Sequence, residues 1–291
     1  MKIPKFWSQA SAKTRGRNGD EVFAIKWHWS DSSESDAQSK AQRAADSLAA
    51  RIASGEPWPD HYAYATETPL REEILREIGG SGSDAQAVIT RNAYGAQVLN
   101  AARVMFVDID LPEKKAKSSG GGLLSRLFGK APAEPAGPPP AETAALARVE
   151  DWARGNSGAS FRAYRTAAGL RLIATHDLFD PESSATIGAL EALGSDPLYV
   201  KLCRVQKCFR ARLTPKPWRL GLHAPFVRYP YPQPAEMAKW VQKYDQASSG
   251  HATCTFIKDI GTRTSMPGEV QTVLRIHDDA CRATAGGLAL A

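Results

Sequence analysis

The sequence is short of cysteine, of long apolar runs and of net charge. Its four cysteines, Cys203, Cys208, Cys254 and Cys281, are too few and too scattered for a disulfide scaffold. None forms a C-x-x-C pair, which argues against a structural zinc site and for reduced thiols in a cytoplasmic protein. No apolar run reaches the ~18 residues of a membrane span, so no transmembrane segment is expected. The opening segment, MKIPKFWSQASAKTRGRNGD, has no apolar stretch of the secretory kind. Lysine and arginine, 37 in all, exceed aspartate and glutamate, 31, to give a net charge of only +6, so the placement of charge matters more than its sum. There is no sustained heptad and no Gly-X-Y period, which excludes coiled coil and collagen. Neither G-x-G-x-x-G nor G-x-x-x-x-G-K-[ST] occurs, so Rossmann and P-loop sites lack motif support; no G-x-S-x-G elbow appears either. What remains, with 43% hydrophobic and 23% charged residues, is an ordinary globular composition.

The pattern of elements predicts an α/β (α+β) chain in three parts. Residues 1–100 read as an N-terminal α/β extension, with a strand at VFAIKWHW (22–29), a capped Ala/Leu helix after it, a short helix in PLREEILREIGG and a strand in AVITRNAYGAQVLN. Residues 101–220 read as β-α-β-β-α-β, the split βαβ or RRM-like (ferredoxin-like) arrangement. Its elements are the apolar run ARVMFVDIDL, the helix ETAALARVEDWARGNSG, the hairpin ASFRAYRT/LRLIATH about Ala167-Ala168-Gly169, the helix PESSATIGALEALG and a strand DPLYVKLCRV. Residues 113–141, rich in Lys, Gly, Ser, Pro and Ala, read as a flexible insertion; its apolar island Leu123–Phe128 is a candidate contact for a protein partner. Residues 221–291 form a cap, with a helix at PAEMAKWVQKYDQA and a terminal hairpin from HATCTFIKDI to VQTVLRIHDD.

Asp108 and Asp110 end the apolar strand. Residues i and i+2 of a strand share a face, so both carboxylates project together and repel unless a cation lies between them. A divalent metal, Mg²⁺ or Mn²⁺, is the expected partner. From Pro197 to Ala235 there is no acidic residue, while Arg210, Arg212, Lys216 and Arg219 fall within this stretch. Guanidinium forks and lysine point charges suit phosphates, and Trp218 and Phe209, with Tyr229 and Tyr231, are candidates for stacking bases. At the hairpin, Thr166, the Gly169 turn and Arg171 could cradle a triphosphate. His277-Asp278-Asp279 invites a metal reading without a matching second cluster, and His28, between two tryptophans, reads as packing. Arg91, Asn92 and Tyr94 fall just before the aspartate strand.

These residues together resemble the archaeo-eukaryotic primase superfamily, the primase–polymerases. The likeness covers roughly residues 85–220. FVDID (106–110) is similar to the family's hydrophobic-Asp-hydrophobic-Asp motif, TAAGLRLI (166–173) stands in the place of its glycine-turn-and-histidine motif, and Asp196 is the nearest match to its third acid. RLTPKPWR (212–219) is similar in type to a basic segment of such polymerases. Arg171 stands where the family has its nucleotide-binding histidine, and His176 follows with opposite strand parity. The resemblance implies an RRM-like core and a metal-dependent nucleotidyltransferase, or a close derivative, acting on nucleotides and on single-stranded or duplex nucleic acid. Asp108, Asp110 and Asp196 would be its catalytic carboxylates, the first two holding metal. Two alternatives use the same residues: a non-catalytic nucleic-acid-binding protein on that fold, and an enzyme processing the phosphates of small nucleotides.

Overall fold

The computed structural model describes residues 1–16, 18–56, 69–112, 140–262 and 265–291. The island Leu123–Phe128 lies outside them. Strands β1 (Phe6–Arg15) and β2 (Glu21–Ser30) pair antiparallel, and helix α1 (Glu34–Ala53) packs on the pair. Ser33 starts this helix by accepting the Asp36 N–H at 3.1 Å, a capping bond that satisfies an otherwise orphaned amide. Ala37, Ala41, Ala45 and Ala49 recur at helical spacing and are buried; Ala41 and Ala45 pack against Ala10, and Ala49 against Ala24. Small side chains on both surfaces let helix and hairpin approach closely.

Strands β3 (Glu73–Ile78), β4 (Ala87–Arg91) and β5 (Gln97–Ala101) follow as an antiparallel meander. Then come β6 (Phe106–Asp110), helix α2 (Pro140–Gly155), the hairpin β7 (Ser160–Thr166) and β8 (Gly169–Ala174), helices α3 (Ser184–Ala192) and α4 (Pro197–Gln206), and β9 (Phe209–Arg212). The C-terminal part holds α5 (Pro234–Ser248), β10 (His251–Ala252), β11 (Cys254–Gly261), α6 (Gly268–Cys281) and β12 (Ala289–Leu290). The result is a mixed α+β fold with antiparallel sheets. One sheet has the order β11-β7-β8-β6 and the other β3-β4-β5-β9. A continuous buried cluster runs from Ala87 through Phe106, Phe161, Leu172 and Phe209 to Val270 and Ala283. It crosses the positions, 100/101 and 220/221, at which the sequence suggests boundaries. Among the described residues no helix is long and apolar enough to cross a membrane.

Three segments differ from the sequence expectation, each for a local reason. PLREEILREIGG forms β3 instead of a helix: its Glu, Leu and Arg favour helix, but intrinsic propensity is a small term and the ladder with β4 overrides it. Residues 197–206 form α4 instead of a strand, because Asp196 caps the helix and Pro197 opens it. The terminal hairpin is absent: its first half is β11, but its second half is α6, with Val270, Val273, His277 and Cys281 buried on one face.

β8 begins at Gly169, opposite Asp110. A Cβ there would lie 2.0 Å from the Ile109 carbonyl oxygen, so only glycine lets β8 close on the aspartate strand. Gly169→Ala is expected to lower stability by on the order of 2 kcal/mol in urea unfolding. An unchanged midpoint would mean that the two strands do not meet this closely.

Candidate active-site cleft

β6 carries Asp108 half-buried and Asp110 exposed. Asp108 pairs in register with Arg171 on β8. Asp196, 88 positions downstream by number, is brought to the same place through the main chain. Its N–H donates to the Asp108 carbonyl oxygen at 2.8 Å, and the Ser195 hydroxyl donates to that oxygen at 3.2 Å. Asp196 also caps α4, one carboxylate oxygen accepting the Tyr199 N–H at 2.8 Å. Asp108, Asp196, Arg171, Arg210, Arg212 and Tyr94 all line one cleft of about 340 Å³. A larger open groove of about 1000 Å³ lies between β3, β4 and α6 and includes none of these acids.

The electrostatics of the cleft are unbalanced in two directions. Burial pushes the Asp108 carboxyl above its ordinary value; Asp110 and Asp196 push the same way, while Arg171 and Arg212 oppose them. Lys216 and Arg219 are displaced the other way: burial lowers both, and Arg212 beside them adds like-charge repulsion. The Arg212 Nε is buried with no hydrogen-bond partner among the described residues. Tyr94 and Asp110 both act on Lys216 in the opposite direction, raising its pKa. The Lys216 Nζ sits 5.4 Å above the Trp218 ring, and Trp218 meets Tyr94 edge-on at 5.3 Å. Trp218 is 55% exposed, an aromatic face at the rim.

Other expected site residues serve the fold. Arg210 is bound by both oxygens of buried Glu72, each at 2.8 Å, and so is not free for phosphate. Phe209 is fully buried in the core and offers no face to a base. The Thr166 hydroxyl oxygen accepts the N–H groups of Ala168 and Gly169, at 3.4 and 3.0 Å; the turn amides expected to cradle phosphate are thus used within the turn. Arg171 is only 4% exposed, and its Nη1 donates to the Arg212 carbonyl at 2.9 Å. Tyr231 donates to Glu73. His176, just past the end of β8, bonds the Ser160 backbone.

The sequence spacing conceals one cluster. Cys254, at the start of β11, meets His277 and Cys281 of α6, and their ligand atoms all lie within 4.8 Å of one another. His277 and Cys281 are four residues apart, which on a helix is one face. That signal was present but was masked by reading residues 270–279 as a strand. Cys281 and His277 pull the Cys254 thiol down to about 5 against its burial, whereas burial and the neighbouring Cys254 push Cys281 up. Cys203 and Cys208 are ordinary buried thiols, pushed by burial up to about 12 and about 11. Burial works against the Arg171 charge, yet Cys254, Cys281 and Asp108 together keep its pKa raised. No protein-family model, curated protein or solved structure matches the chain.

Proposed function

We propose that the cleft carries out metal-dependent nucleotidyl transfer of the primase–polymerase type, on an RRM-like core. Support for the core comes from connectivity. α2 crosses from β6 to β7 with β8 between them, the split βαβ arrangement; β9 belongs to the other sheet, where it pairs with β5, and comes near β6. The observation that carries the reaction is the double imbalance of charge. A group of acids with an elevated Asp108 pKa borders a group of bases with depressed pKa values. A divalent cation bound to a polyphosphate neutralises both at once.

Asp108, Asp110 and Asp196 are hard oxygen donors of the kind Mg²⁺ or Mn²⁺ takes, and Asp196 keeps one carboxylate oxygen outside its capping bond. Such a cation, when bound, supplies charge neutralisation at the transferring phosphoryl group. The chain's own residues do the rest. Arg212, Lys216 and Arg219 bind phosphate oxygens and offset the charge that develops on them. Arg171, locked by its bond to the Arg212 carbonyl, fixes the approach of β9 to the aspartate strand. Trp218 gives a base a surface to stack on. The deciding test is metal-dependent incorporation of nucleotide into a primed or unprimed template; its absence in Mg²⁺ and Mn²⁺ would remove this reading.

A second reading, a non-catalytic nucleic-acid binder on the same fold, is favoured by Arg171, which is buried and bound to protein groups where the primase–polymerases carry a histidine for the nucleotide. Both readings place polynucleotide on the basic rim. Lys216→Ala and Arg219→Ala are each expected to reduce the slope of log affinity against log salt by about 1. Trp218→Ala is expected to weaken single-strand binding by ~1–3 kcal/mol with no change in that slope. Fluorescence anisotropy over a salt series measures both. Slopes that do not move would take nucleic acid away from this rim.

A further inference from the structure

We propose that Cys254, His277 and Cys281 hold a zinc ion. The three ligands lie outside the lining of the carboxylate cleft, and the site is independent of the nucleotidyl-transfer reading. The Cys254 Sγ is 3.8 Å from the His277 Nε2, and the three ligand atoms lie within 4.8 Å of one another. Two thiolates and an imidazole are the donors that zinc selects over hard cations. All three side chains are buried, His277 fully and the cysteines at 0% and 1% exposure.

The second observation is the orientation of the imidazole. The His277 Nδ1 lies 3.0 Å from a carboxylate oxygen of Asp278. An Nδ1–H donated to that carboxylate leaves Nε2 unprotonated, with its lone pair facing the Arg171 Nη1 at 3.2 Å and the Cys254 Sγ at 3.8 Å. This is the carboxylate–histidine pairing that orients metal-binding imidazoles. Asp278 is itself fixed: it accepts the Tyr164 hydroxyl at 2.6 Å and the Arg162 Nε–H at 3.2 Å. The Tyr164 ring stands edge-on to the imidazole, with centroids 4.8 Å apart.

Arg171 completes the surroundings. Its Nη1 is 3.2 Å from the His277 Nε2 and 3.9 Å from the Cys281 Sγ. Zn²⁺ with two thiolates and a neutral imidazole has no net charge, so a neighbouring guanidinium meets no net repulsion and donates to a thiolate sulfur. Binding requires both thiols to lose their protons to solvent as the ion enters. Because the ligands are enclosed, loading accompanies folding.

The test uses the full chain produced in zinc-supplemented medium, dialysed and analysed for metal, then stripped under denaturing conditions and refolded with Co²⁺. The expected results are zinc in equimolar amount and, for the cobalt form, the near-ultraviolet thiolate-to-cobalt charge-transfer band with tetrahedral visible bands. Cys254→Ser and Cys281→Ser are each expected to lose the charge-transfer band, and Cys203→Ser and Cys208→Ser to keep it. If the first two variants fail to fold, the wild-type titration decides alone: refolded protein that binds Co²⁺ without a charge-transfer band overturns the site. A band that survives in both folded variants overturns it too. The Asp108→Asn/Asp110→Asn variant is expected to keep the band. Cobalt that lacks the band and is lost in this variant would belong to the cleft, and the cysteine site would be refuted while the cleft reading stood.

Discussion

Asp108→Asn is expected to abolish metal-dependent nucleotide binding and to lower turnover sharply, while leaving the thermal midpoint unchanged or higher. The two effects have one cause. Burial and the Asp110 and Asp196 carboxylates raise the Asp108 pKa, so the fold disfavours the ionised form relative to the unfolded chain. Asparagine keeps the size of the side chain and removes the charge. On the proposed reading the same change also deletes a metal ligand, and loss of transition-state charge stabilisation of this kind lowers turnover by on the order of 10³-fold. Titration calorimetry of Mn²⁺ in the presence of a nucleoside triphosphate, beside differential scanning calorimetry, reads both. Binding heat retained in Asp108→Asn would take the metal away from the cleft. A sharply lowered midpoint would show that the carboxylate stabilises the fold, contrary to the direction of its pKa.

The largest stability effect belongs to a residue that the charge pattern assigns to phosphate. Arg210→Ala is expected to destabilise the fold by about 3–5 kcal/mol, a fall in midpoint on the order of 10 °C. Glu72, only 8% exposed at its side chain, would then be a buried charge without its partner. The Thr90 hydroxyl donates to Glu72 at 2.5 Å, and the Asn100 amide donates to Thr90 at 3.0 Å; a polar chain thus runs from β9 into the β4–β5 ladder. Glu72→Gln combined with Arg210→Met is expected to recover part of the loss, because it removes both charges together. Arg212→Ala, two residues on, is expected to change stability by less than about 1 kcal/mol while weakening phosphate binding. Urea unfolding of the three variants separates the two arginines. Equal losses for Arg210→Ala and Arg212→Ala would mean that the Glu72 pair is not special.

Arg210 and Arg212 also show what a sequence can and cannot reveal. They share a strand face and a charge, and nothing in their spacing distinguishes them. Only the β3 segment, read as a solvated helix, brings Glu72 to one of them. The paired aspartates were legible because strand parity and an apolar run are local properties, as was the β7–β8 hairpin around Gly169. Asp196 was legible as an acid of interest but not as a helix cap, although Asp-Pro is a start signal; the apolar β-branched residues after it outweighed that signal. The Cys254, His277 and Cys281 cluster was hidden twice, by the absence of C-x-x-C and by the reading of α6 as a strand. Long-range register decides such sites, and periodicity within one segment does not contain it.

The long-range register has a consequence for the order of events as the chain is made. β5 acquires its second neighbour only when β9 arrives. The bond from the Gln97 N–H to the Thr214 hydroxyl spans 117 residues. Until then β5 has a bare strand edge, and apolar Val98 and Leu99 await Arg212 and Ala211. Pairings of such separation form late, because a long loop must close first. At about 5–20 residues per second of synthesis, the nascent chain carries this edge for on the order of ten seconds. An unpaired edge invites another chain to add to it. The arrangement that gathers acids and bases from distant segments into one cleft therefore leaves the unfinished protein, rather than the finished one, most open to aggregation.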